Sequence, residues 1–112
     1  MKHRSVAAAV AENPAEASLY AALLSLKDTA EMAAFLSDLC TPAELEVMID
    51  RWRVVPYLLQ GLPYRQIHAR TAVSVTTIGR VARYLNQGSG GYLAAVTRTA
   101  SKRPSATRRA GT

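Results

Sequence analysis

Residues 63–86, PYRQIHARTAVSVTTIGRVARYLN, hold two short helical segments with almost nothing between them. The first spans 63–71 and opens on Pro63, whose missing N–H is one that the first turn of a helix never uses. Ala72 and Val73 leave room only for a tight turn, and Ser74 offers a side-chain acceptor to the orphan N–H groups of a second helix running to about Asn86. Two helices joined in this way, the second entered through a serine cap, describe a helix-turn-helix. Ile67, Val73, Ile78 and Val81 fall where such a unit needs apolar contacts between its helices. The opposite face of the second helix carries Val75, Thr76, Gly79, Arg80 and Arg83.

That face suits a DNA major groove. Arginine donates twice to guanine, threonine and valine meet a thymine methyl, and glycine lets the helix backbone come close. Ser74 and Thr77, at the leading end of the helix, belong to the same surface. Arg65 and Arg70 on the first helix are better placed for phosphates, which fix register without reading sequence. A helical hairpin with merely solvated arginines would show the same spacing, so the surrounding charge has to decide. The first fifty residues hold all eight acids and three basic residues, a formal −5; the 62 that follow hold eleven Arg or Lys and no acid, +11. A solvated face usually mixes signs, whereas an acid-free one attracts a polyanion.

Upstream, three helix starts share one grammar: Asn13-Pro14-Ala15-Glu16, Asp28-Thr29-Ala30-Glu31 and Thr41-Pro42-Ala43-Glu44. Each sets an acceptor at the N-cap and Glu three residues on, the pairing of a capping box. Helices are predicted over 14–26, 29–39 and 42–60. Their apolar stripes are Leu19, Leu23, Leu24 and Leu26; Met32, Phe35, Leu36 and Leu39; and Leu45, Met48, Ile49, Trp52, Val55 and Leu59, with Trp52 read as core. Gly61 is placed as the residue that ends the third. Pro56 interrupts that helix at a cost of about 3 kcal/mol, and a kink is expected around residues 52–56. An i,i+3 ion pair is expected between Asp50 and Arg53.

The domain plan that follows is a flexible start over 1–12, a helical dimerisation region over 13–61, a helix-turn-helix DNA-binding region over 62–97 and a disordered basic tail over 98–112. In the tail, Arg98, Lys102, Arg103, Arg108 and Arg109 add non-specific affinity through counterion release. Some seventy to eighty ordered residues make a domain of marginal size, which often borrows core from a second copy. Cys40 is alone, so no intramolecular disulfide forms and a reducing, cytoplasmic location is expected. No apolar run has the roughly 18 residues of a membrane span, and no motif supplies a catalytic, metal or cofactor site.

In order and spacing, Leu19-Tyr20, Leu39-Cys40-Thr41-Pro42-Ala43-Glu44, Arg51-Trp52-Arg53-Val54-Val55, Leu58-Leu59-Gln60-Gly61, Tyr64-Arg65-Gln66-Ile67, Val73-Ser74 and Thr76-Thr77-Ile78-Gly79-Arg80-Val81 form a recognisable set. Over residues 19–96 the chain resembles the Trp repressor superfamily, most closely its Trp-repressor-related YerC/YecD family. The resemblance implies an all-α fold, an intertwined homodimer whose N-terminal helices interlock, and two helix-turn-helix heads on one face. Two departures stand out: His68 where alanine is common, and Ala72 where the turn usually has glycine, a substitution costing roughly 1 kcal/mol if φ is positive. A motif set slightly wider than usual is therefore expected.

By the same resemblance, Arg51 and Arg80 match two arginines that sandwich an effector's indole. Val81 stands where a glycine makes room for the ring, and Tyr84 near a serine that meets the ligand's amino group. Arg51, Arg80, Val81 and Tyr84 thus mark a possible effector pocket, and the added bulk of Val81 argues against tryptophan as its ligand. The expected function is sequence-specific binding of double-stranded DNA as a transcriptional regulator, with repression the expected sense. The alternative is a helical dimer serving as a protein-interaction module with a degenerate helix-turn-helix.

Overall fold

The computed structural model describes residues 6–102, and these are helical with no strand among them. The order is α1 (Val6–Ala11), α2 (Pro14–Ser25), α3 (Thr29–Leu39), α4 (Pro42–Arg53), α5 (Val55–Leu59), α6 (Tyr64–Thr71), α7 (Val75–Gln87) and α8 (Gly91–Lys102). Two compact units share these helices, Met1–Val47 and Met48–Thr112, and the division falls inside α4. The all-α class is as the sequence implies.

In the first unit the capping grammar is realised three times, each time differently. Asn13 Oδ1 accepts from the Glu16 N–H at 3.0 Å, and Asp28 Oδ1 from the Glu31 N–H at 2.9 Å. Thr41 completes the reciprocal box: its Oγ1 accepts from the Glu44 N–H at 3.1 Å while Glu44 Oε1 accepts from the Thr41 N–H at 2.8 Å. The carboxylate of Glu31 instead accepts from the N–H of Lys27, one residue before the cap. That of Glu16 accepts from the Tyr20 hydroxyl at 2.6 Å, a hydrogen bond that raises the Tyr20 pKa above the usual phenol value.

The predicted stripes of α2 and α3 are helical but not buried. Neither helix has a buried residue; Leu24 is 86% exposed and Leu39 53%. Leu19, Leu23, Leu26, Met32, Phe35 and Leu36 reach only half-burial. Helix α1 also occupies a stretch expected to be flexible, with Asn13 N–H closing onto the carbonyl of Val10 at 3.0 Å. Residues 1–5 of that expected start lie outside the described residues.

The second unit holds a dense core of Val54, Val55, Ile67, Val73, Ile78 and Val81, with Tyr57, Leu58, Leu62, Leu85, Tyr92 and Val96 packed against it. The expected kinked helix over 42–60 is in fact two helices. Val54 forms the break at φ −86° and ψ −10°, and Pro56 falls in the first turn of α5. There the missing N–H costs nothing, whereas mid-helix it would remove a hydrogen bond and press its ring on the preceding turn. The break delivers Val54 and Val55 to the core, both fully buried. Of the predicted third stripe only Val55 is buried. Met48, Ile49, Trp52 and Leu59 stay 41–48% exposed, so Trp52 is not core within one chain. Its ring instead runs nearly parallel to Tyr92, with centroids 6.4 Å apart. The Asp50–Arg53 pair is present at 3.7 Å.

Gly61, at φ +80°, ends α5 as expected: its N–H donates to Leu58 O, and that of Leu62 to Tyr57 O. These are the two bonds of a Schellman motif, for which glycine suits the left-handed residue. Past α7 the basic tail departs from expectation, because α8 continues to Lys102 and Arg98 is helical. Tyr92 and Val96, one turn apart, fix the helix to the core. The rest of the tail, residues 103–112, lies outside the described residues.

Candidate nucleic-acid interface

The turn between α6 and α7 is closed by side chains. Ala72 takes the left-handed conformation (φ 64°, ψ 6°), and its N–H donates to His68 O at 2.8 Å. Thr71 Oγ1 donates to Ile67 O at 2.7 Å and accepts from the Val73 N–H at 3.1 Å. His68, the residue that departs from the usual alanine, has Nδ1 2.8 Å from Val73 O. A carbonyl only accepts, so Nδ1 carries the proton and the ring spans the turn from α6 to the residue before the cap. Ser74 then caps α7, its Oγ accepting from the Thr77 N–H at 3.1 Å.

With Ile67, Val73, Ile78 and Val81 all buried, the direction of α7 is fixed and so is its outward face. On that face Val75, Gly79 and Arg83 form one i,i+4,i+8 row, and Thr76, Arg80 and Tyr84 form the next. Val75, Thr76, Arg80 and Arg83 are exposed and Gly79 is half-buried. Ser74 is exposed, while Thr77 is half-buried and its Oγ1 accepts from Ser74 Oγ at 3.0 Å, so Thr77 serves the cap. Arg65 and Arg70 are exposed on α6.

Gly79 has no role in the chain's own packing. A Cβ built there would meet Tyr64 Cε2 at 3.9 Å, an ordinary contact. Gly88 is different: a Cβ there would lie 2.3 Å from the carbonyl oxygen of Tyr84, so the chain can leave α7 in this way only without a side chain.

Of the four residues of the possible effector pocket, Arg80 and Tyr84 meet each other, while Val81 and Arg51 are held in other surroundings. Val81 is fully buried in the core. Arg80 lies over the Tyr84 ring, its Cζ 4.7 Å from the centroid. Arg51 is half-buried, with Nε enclosed and no acceptor for it among the described residues. The Arg80–Tyr84 stack and the Arg83 guanidinium, 5.5 Å from the same ring, had no counterpart in the sequence reading. Their i,i+4 and adjacent spacing was the available signal.

A buried hinge of this construction, presenting an acid-free helix face, defines a helix-turn-helix protein of the all-α class. The family model of the Trp repressor protein matches residues 16–100, and the chain belongs to that family. It is 40% identical over 80 residues to YerC, an uncharacterised protein of Bacillus subtilis (strain 168), a match covering 71% of this chain and 77% of that protein. Among solved structures it resembles a TrpR-like protein from Eubacterium eligens ATCC 27750, with a TM-score of 0.74, 36% identity, and coverage of 79% of this chain and 91% of that one.

Proposed function

We propose that this protein is a homodimeric, sequence-specific DNA-binding transcriptional regulator of the cytoplasm, with repression its expected sense, and that it reads the major groove with α7. The observation that carries the reading is the exposed face of Val75, Thr76, Gly79, Arg80 and Arg83, mounted on a buried hinge in a half of the chain that has no carboxylate after Asp50. The guanidiniums of Arg80 and Arg83 donate to guanine edges or to phosphate, Val75 and Thr76 meet thymine methyls, and Gly79 lets the backbone approach. Arg65 and Arg70 hold phosphates and set the register. Two copies place their reading helices in successive major grooves, roughly 34 to 36 Å apart, and favour a two-fold symmetric site.

Tryptophan is not the effector in this reading. Arg80 already lies over a ring of its own chain, and Val81 is fully buried in the core. Selection of bound sites from a random DNA pool tests the proposal: a palindromic preference with a steep salt dependence is expected. Salt-independent retention without preference would favour the protein-interaction module. Calorimetry with tryptophan should show no micromolar binding coupled to DNA affinity.

A further inference from the structure

Arg80 and Arg83 lie three residues apart on α7, a spacing at which like charges repel. Yet both guanidiniums attend one ring, with Cζ atoms 4.7 Å and 5.5 Å from the Tyr84 centroid. The face of an aromatic ring carries partial negative charge and attracts a cation within about 6 Å of its centre. A carboxylate at position 84 would gather the same two arginines more strongly, but it would also cancel charge that a polyanion needs. A ring orders them and leaves both charges intact. A ring, unlike a carboxylate, does not tie up the paired N–H donors of a guanidinium in a fork of hydrogen bonds, which leaves them for an incoming phosphate or guanine edge.

We infer that Tyr84 is a positioning residue for DNA: its ring holds Arg80 and Arg83 as a preformed pair of donors at the C-terminal half of the reading helix. The inference rests on the DNA-binding reading above. Without the ring, two long side chains with several rotatable bonds each must be ordered at the moment of binding, and that entropy is subtracted from affinity. The carbonyl of Tyr84 accepts from the Gly88 N–H at 3.0 Å, at an approach that a side chain on residue 88 would prevent.

The test compares wild type, Tyr84→Phe, Tyr84→Leu, the double variant Arg80→Ala/Arg83→Ala, and the triple variant combining it with Tyr84→Leu. Fluorescence anisotropy on the pool-selected duplex, across a salt series, gives affinities; thermal melts check folding; and Arg Nε–H resonances of the free protein report ring-current shifts. Tyr84→Phe should bind within about twofold of wild type and keep the shifted resonances. Tyr84→Leu should lose the shifts and bind about tenfold more weakly, the scale of two exposed cation–ring contacts, with an unchanged salt slope because the same phosphates are met. In the double-variant background the leucine should cost nothing further. A second variant, Tyr84→Gln, reads the same quantities if leucine lowers the melting temperature. Tyr84→Leu binding like wild type, an equal loss with and without the two arginines, or Tyr84→Phe failing as badly as leucine would each overturn the role. Failure of the underlying reading looks different: wild type itself would bind neither selected nor random duplex, and the positioning role would fall with it.

Discussion

Ala72 and Gly79 are two small residues in positions that each suits the other better. Ala72 holds φ 64°, where a Cβ crowds the following carbonyl and costs roughly 1 kcal/mol, while Gly79 sits mid-helix at a similar cost in backbone entropy. Ala72→Gly should therefore raise stability by about 0.5 to 1 kcal/mol, read as a higher denaturant midpoint at constant slope; an unchanged or lower midpoint would show that Thr71 and His68 already relieve the strain. Gly79→Ala should also stabilise by about 1 kcal/mol, because the nearest atom to its new Cβ is 3.9 Å away. On DNA the sign should reverse, with affinity falling about tenfold as the methyl is forced into a packed contact. Stabilisation without loss of affinity would remove Gly79 from the interface. Both residues stood out in the sequence, Ala72 as an anomaly in a turn and Gly79 as a glycine on the face of α7 turned away from the core. The bridge from His68 to Val73 did not, because the sequence gives no direction to a ring.

Among the elements, those with local signals were read well and those decided by packing were not. The caps at Asn13, Asp28, Thr41 and Ser74 all form, since each needs only a side chain and an N–H three residues away. The break at Val54 was read as a kink because the apolar stripe continues through Pro56; burial of Val54 and Val55 is what turns a kink into two helices. Helix α8 escaped notice because its anchors, Tyr92 and Val96, sit in a short stretch of mostly Ala, Thr and basic residues and gain meaning only against the core of α5 to α7. The complete capping box at Thr41 offers a direct check on the local part. Thr41→Ala should cost about 1 kcal/mol, while Glu44→Gln, which keeps an acceptor for the Thr41 N–H, should cost less. Equal losses would mean that the carboxylate's charge near the helix start, and not the reciprocal bond, is what α4 depends on.

For the molecule as a whole, the two halves of the chain divide their apolar residues differently. The second unit buries Val54, Val55, Ile67, Val73, Ile78 and Val81 within itself, whereas α2 and α3 bury nothing and leave Leu24 and Leu39 in contact with water. Periodicity announced those stripes but gave no sign of what covers them, since a stripe facing its own chain and one facing a second copy have the same spacing. Seven of the eight acids lie in the first unit and the eighth, Asp50, near the start of the second, so the rest of the second unit carries no Asp or Glu. Fully burying one leucine is worth about 1.5 to 3 kcal/mol, and a two-fold interface counts each residue twice. Leu24→Lys should therefore convert a dimer into a monomer at micromolar concentration in sedimentation experiments. The wild-type melting temperature should rise with protein concentration and that of the variant should not, because only association couples stability to concentration. Leu24 does not belong to the core of the second unit, so the variant should keep a folded helix-turn-helix and bind a half-site while losing its preference for the two-fold site. A wild-type chain that sediments as a monomer with a concentration-independent melting temperature would mean that α2 and α3 are covered by something other than a second copy.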